Sequence, residues 1–159
     1  MAFSDSAIIG YAETKIVEKS DKDVCALGAE IMGSLIRKTG VEKDAINGMI
    51  LSSAMSGNGS VFWSQMMSDA LALSLNFCQT VDIGGCSPLG ALARATMAID
   101  AGLCENVLCL YADCQASDDH RPKRPFRQEW TSALGYIGPP AAFGFLSKRY
   151  EHQYGLDYA

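Results

Sequence analysis

The chain has 159 residues, 48% of them hydrophobic and 19% charged, with a net charge of −5, which is enough to bury one sizeable core in a single domain. No apolar run approaches the roughly 18 to 20 residues that span a bilayer, and residues 1–22 lack the basic-then-apolar layout of a secretory signal, so a cytoplasmic protein with no membrane span is expected. The basic cluster HRPKRPFR at 120–127 is short and broken by proline, which argues against a nucleic-acid partner.

Taken in order, the stretch AIIGYAETKI at 7–16 opens apolar and then alternates, as a strand does. Asp23 offers an N-cap, Val24, Leu27, Ile31, Leu35 and Ile36 recur on one helical face, and Gly40 is a stop signal, so a helix is expected between them. GMILSSA at 48–54 reads as a second strand, followed by a turn-rich loop, MSGNGS at 55–60, and a helix over 62–73. Residues 76–83 form a third strand. Pro88 then stands just inside a helix start, with Leu89, Leu92, Ala93 and Thr96 along one face up to Gly102. NVLCLYA at 106–112, apolar on both faces, suits a buried parallel strand.

The order βαβαβαβ is that of an α/β layer fold with a mostly parallel sheet. Residues 1–114 are expected to form this core and 115–138 a long loop excursion. Residues 139–159 should close the same domain with a helix from Pro139 or Pro140 to Tyr154, stopped at Gly155.

The six cysteines, at 25, 78, 86, 104, 109 and 114, form no CxxC pair and no Cys/His cluster at metal-ligand spacing, so neither a metal site nor a disulfide framework is expected. Cys78 and Cys109 fall within strands and read as small core hydrophobes. His120 sits in the basic loop and His152 among charged residues of the last helix, both as surface residues; Asp82, Asp118 and Asp119 receive no catalytic role.

The stretch that carries chemistry is TVDIGGCSPLGAL at 80–92, where a strand feeds a helix through Gly84, Gly85 and Cys86. Amides at a helix start favour negative charge, so such a turn can hold a phosphate, stabilise an oxyanion or activate a thiol. Cys86 is therefore a candidate nucleophile, or else a buried cysteine beside a tight turn. A dinucleotide site fits less well: the glycines open the third crossover rather than the first and do not match GxGxxG.

The stretches AIIGYAET, INGMIL, TVDIGGCSPLGALARATMAIDAGLCENVLCLYAD and GYIGPPAAFGFLSKRYEHQYG resemble the thiolase superfamily, especially its sterol-carrier-protein-type branch. That family repeats a layered α/β domain, and the resemblance implies that this chain corresponds to its N-terminal half. The implied activity is carbon–carbon bond cleavage or formation on acyl-CoA thioesters, with coenzyme A as part of the substrate and no separate cofactor. The family's nucleophile segment, V-N-x-x-C-x-[ST]-G-x-x-A-[LV], laid without gaps on Val81 to Leu92 and checked by the downstream Gly102, puts the cysteine position on Gly85. Cys86 falls one residue late, which at a strand-to-helix turn turns its side chain elsewhere.

Members with glycine at this position resemble the branch that performs retro-aldol cleavage, often beside a small acyl-CoA-binding partner protein. In that chemistry the turn Gly84, Gly85 and Cys86 would supply oxyanion donors. The resemblance further implies a homodimer through the strand at 76–83, and a chain that alone does not complete the reaction. The alternative is a non-catalytic scaffold or dimerisation subunit that kept the fold without the nucleophile.

Overall fold

The computed structural model describes residues 6–54, 56, 61–114, 117, 132–135 and 138–155, grouped in two compact units, 1–121 and 122–159. The first unit is the α/β layer expected from the sequence. Its strands are β1 (Gly48–Ser52), β2 (Phe77–Val81) and β3 (Val107–Leu110), and its helices α1 (Val24–Thr39), α2 (Trp63–Leu71) and α3 (Ser87–Asp100). The sheet is parallel throughout in the order β2-β1-β3, with Gly48 opposite both Phe77 and Val107.

The central strand β1 is buried along its whole length. Its side chains alternate between two cores, as the pleat requires. Met49 and Leu51 join Leu108, Leu110, Trp63 and Met67 under α1 and α2, whereas Ile50 meets Val81, Ala91 and Ala95 of the α3 layer. Two layers of helix on one sheet therefore follow directly from five consecutive buried residues. The strand starts are knitted by Asn47: its side-chain oxygen accepts from the amides of Glu105 and Asn106 at 2.9 and 3.1 Å, and its carbonyl accepts from Asn76 N–H at 2.8 Å. Gly48 permits this crowding, since a Cβ there would lie 2.8 Å from Cys104 Sγ and 2.9 Å from Val107 Cγ2.

Helix α1 runs where its signals place it. The Asp23 carboxylate accepts from Ala26 N–H at 2.7 Å, and Gly40, left-handed at φ 70°, returns its N–H to the Ile36 carbonyl. The second unit contains a 3-10 turn (Ser132–Leu134) and α4 (Gly138–Tyr154). This helix stops at Gly155, φ 72°, and stacks the Tyr150 and Tyr154 rings 4.9 Å apart.

The structure corrects three expectations. Residues 7–16 form no strand: the segment has no ladder partner among the described residues, and Ile8, Ile9, Tyr11 and Ile16 are exposed. The buried face of α3 is not Leu89, Leu92, Ala93 and Thr96 but Ser87, Ala91, Ala95 and Ala98; small residues let the helix lie close on the sheet, while Leu89 is 71% exposed. Cys78 is exposed rather than core, because β2 is an edge strand. Cys109, by contrast, is half-buried in β3, and burial pushes its thiol pKa up to about 11.

Two measurements follow. Met67 is fully buried, so Met67→Ala should lose about 2–5 kcal/mol in urea unfolding, while Leu89→Ala should stay within about 0.5 kcal/mol. The Cys109 thiol ionises later in the folded chain than in the unfolded one, starting from an ordinary value of 9.0. Its contribution to stability is therefore complete below pH 9 and is lost as pH rises toward 11. Cys109→Val should make the decline in urea midpoint over that window shallower than in the parent chain.

Candidate functional site

All three strands are parallel, so their carboxyl ends share one edge of the sheet, the edge where open α/β sheets bind ligands. Three connections leave from it: the residues after Ser52, the glycine turn after Val81, and the segment after Leu110. Parallel strands dictate this gathering.

The glycine turn is set by a serine. Ser87 is 2% exposed; its hydroxyl donates to the Gly84 carbonyl at 2.7 Å and accepts from Ile83 N–H at 3.0 Å. Its own N–H also reaches the Gly84 carbonyl, at 3.0 Å. The side chain thus folds strand end and helix start into one bracket, leaving no freedom for the intervening residues to slide. Gly84 must be glycine on backbone grounds, with φ at 64°. Gly85 need not be: its φ is not in the left-handed region and a Cβ there would meet nothing within 4 Å. Further along, Gly90 allows close packing, since a Cβ would come within 2.7 Å of Ile83 Cδ1.

Cys86 is the N-cap of α3, in helical conformation at φ −86°, ψ −2°, and its side chain makes no capping bond. It is exposed, so the alternative of a buried turn cysteine is set aside. The first helical turn leaves amides without intrahelical acceptors. The N–H of Ser87 is taken by Gly84 and Pro88 has none, which leaves the amides of Cys86 and Leu89 at the mouth of the turn as donors for a negative charge.

A second polar cluster lies at the same edge. The Ser56 hydroxyl donates to the Asp113 carboxylate, which also accepts from Ser56 N–H at 3.1 Å. Cys114 N–H donates to Ser56 Oγ at 2.9 Å, and the Tyr111 hydroxyl reaches Asp113 at 3.4 Å. Burial, then the Asp113 charge and this bond, raise the Tyr111 pKa above its usual value. The cluster ties the connection after β1 to the one after β3.

Neither Ser87 nor the Ser56–Asp113 pair was singled out by sequence reasoning. The only signal was position: a serine one residue before the helix proline, and an aspartate just past an apolar strand. Of the other candidates, Asp82 is exposed beside the turn, its carboxylate 3.5 Å from Gly84 N–H, and His152 is exposed on α4. His120, Asp118, Asp119 and most of the 115–138 excursion lie outside the described residues. Among the described residues no group of His, Cys, Asp and Glu could hold a metal ion, and no helix is long and apolar enough to cross a membrane.

No protein-family model and no curated protein matches the sequence. Among solved structures the chain is similar to one described as "Ltp2-ChsH2(DUF35) aldolase", with a TM-score of 0.70 over 94% of this chain at 22% sequence identity. The fold is the thiolase-like layered α/β fold. The match spans 38% of the length of that solved chain.

Three substitutions separate the roles within the turn. Gly84→Ala should cost about 1–2 kcal/mol in urea unfolding, the penalty of a left-handed Cβ, and Gly85→Ala should stay within about 0.5 kcal/mol. Ser87→Ala, which strands a buried donor and acceptor, should cost about 1–3 kcal/mol. Equal losses for the two glycines would contradict this division.

Proposed function

We propose that the chain is the amino-terminal part of an enzyme that breaks a carbon–carbon bond of a β-hydroxyacyl-CoA by retro-aldol cleavage. The observation that carries the reading is Gly85: it occupies the position matched to the family's nucleophile, in open space, at a backbone conformation that does not call for glycine. A side chain fits there, and none is present. The name of the similar solved structure, an aldolase, supports the same reaction class.

In this reaction a base removes the β-hydroxyl proton, the bond between the α and β carbons breaks, and its electrons pass to the thioester carbonyl as an enolate. Reprotonation at the α carbon completes the cleavage. The contribution of this chain is electrostatic: amides at the start of α3 face the position where enolate charge develops, held fixed by Ser87. No thiolate is needed. The base would come from the polypeptide that completes the enzyme.

The same reading assigns acyl-CoA as substrate and a cytoplasmic setting, with a homodimer through the outer edge of β2 and a small acyl-CoA-binding protein as companion. The outer edge of β2, unpaired among the described residues, favours pairing with another chain.

The test uses the chain together with the polypeptide that completes it. Cys86→Ala should leave cleavage of a β-hydroxyacyl-CoA within about twofold of the parent, because a backbone oxyanion site survives loss of a neighbouring thiol. A covalent route instead loses several powers of ten when its nucleophile is removed. Thiolysis of a β-ketoacyl-CoA abolished by Cys86→Ala would overturn the reading and restore Cys86 as nucleophile; absence of either activity would favour a scaffold.

A further inference from the structure

Past its last paired residue, β3 keeps the alternation of a strand. Leu108 and Leu110 lie in the core under α1 and α2, and Cys114 packs against that same core; Ala112 is buried as well. Val107 and Cys109 pack instead against the core under α3. This is the two-residue period of a pleated chain, and its continuation places Tyr111 and Asp113 on the face that carries α3, beyond the end of the sheet. There Tyr111 and Asp113 line one cavity with Pro88, from the first turn of α3. Its volume, about 600 Å3, falls within the range of small-molecule sites.

Packing does not account for a tyrosine at this place, since Tyr111 is 52% exposed. Its hydroxyl is aimed by the Asp113 carboxylate, which is itself fixed: Oδ1 accepts from both the hydroxyl and the N–H of the buried Ser56, and Oδ2 faces the phenol. The separation of phenol and carboxylate, 3.4 Å, is long beside the usual O–H···O distance of about 2.5–3.0 Å. A closer acceptor in the cavity therefore wins the hydroxyl. Burial, then the Asp113 charge, hold the phenol protonated beyond the ordinary tyrosine range, so the group is a donor at neutral pH.

The reaction proposed above calls for such a donor. With the thioester oxygen at the amides that open α3, the β-oxygen sits on the carbon next but one to the thioester carbonyl. It begins as a hydroxyl, carries negative charge once the base has removed its proton, and ends as the carbonyl oxygen of the released aldehyde or ketone. In each form it accepts a hydrogen bond, most strongly when charged. An acceptor at that point would compete with the base.

We propose that the Tyr111 hydroxyl turns from Asp113 to the β-oxygen of the bound acyl-CoA and makes the enzyme selective for thioesters that carry a hydroxyl there. The inference rests on the retro-aldol reading of the same site. Ser56 and Asp113 position the ring, and the hydroxyl selects the substrate.

The test uses the completed enzyme and two thioethers of coenzyme A, S-(3-hydroxybutyl)-CoA and S-butyl-CoA, which lack the thioester carbonyl and cannot be cleaved. Isothermal titration should find the hydroxylated ligand bound about fivefold more tightly by the parent, the worth of one hydrogen bond. Tyr111→Phe keeps the ring and removes only the hydroxyl. It should narrow that preference to less than about twofold, with S-butyl-CoA affinity and the urea midpoint unchanged. A preference that survives in Tyr111→Phe, or equal binding of the two ligands by the parent, would overturn the proposal. So would an equal loss of affinity for both ligands, the mark of a residue that only shapes the cavity. Because neither thioether is turned over, the two readings can fail separately. A preference lost in the variant, with no β-hydroxyacyl-CoA cleaved by the parent, sinks the retro-aldol reaction and leaves Tyr111 as the hydroxyl-recognising residue; cleavage by the parent with the preference intact in the variant does the reverse.

Discussion

The five residues of β1 impose the rest of the architecture. A strand buried at every position must be covered on both faces and hydrogen-bonded on both edges, since each unpaired buried amide or carbonyl costs about 1–3 kcal/mol. Parallel neighbours β2 and β3 satisfy the edges. Parallel pairing then demands crossovers, which deliver α2 to one face and α3 to the other. The same constraint sends every strand's carboxyl end to a common side, where the Ser87 bracket and the Ser56–Asp113 cluster are assembled from otherwise ordinary residues.

The three connections at that side are stiffened by short side chains bonding to backbone. Ser87 joins the end of β2 to α3 through two bonds from one hydroxyl, and Ser56 joins the connections after β1 and β3. A turn held this way presents its amides at a fixed angle with little reorganisation left for the moment when charge develops, the condition under which backbone donors are most effective. Cys86 gains an exposed place at the helix start from this arrangement, while Gly85 beside it faces open space.

Much of the fold was legible because its signals are local. Asp23 and Gly40 mark the ends of α1 by cap chemistry, and the apolar run at 107–110 marks a strand, buried on its Leu108 and Leu110 face and half-buried on the other. What was not legible depends on neighbours. Residues 7–16 carry the alternation of a strand, but a ladder needs a partner, which no segment supplies alone. The α3 face was misread because large residues suggest core, whereas Ala91, Ala95 and Ala98 are buried: distance to the sheet, not hydrophobicity, selects them. At the site, the glycine turn stood out in the sequence, while Ser87, Ser56 and Asp113 did not. Small polar residues acquire a role only once the chain has brought backbone groups within reach of them.

The account stands on the claim that the turn acts through its backbone and not through a thiolate. The most direct measurement is intact mass spectrometry of the completed enzyme, quenched during turnover of a β-hydroxyacyl-CoA and, separately, of a β-ketoacyl-CoA. The account predicts a chain of unchanged mass in both cases. An acyl increment that maps to Cys86 would contradict it.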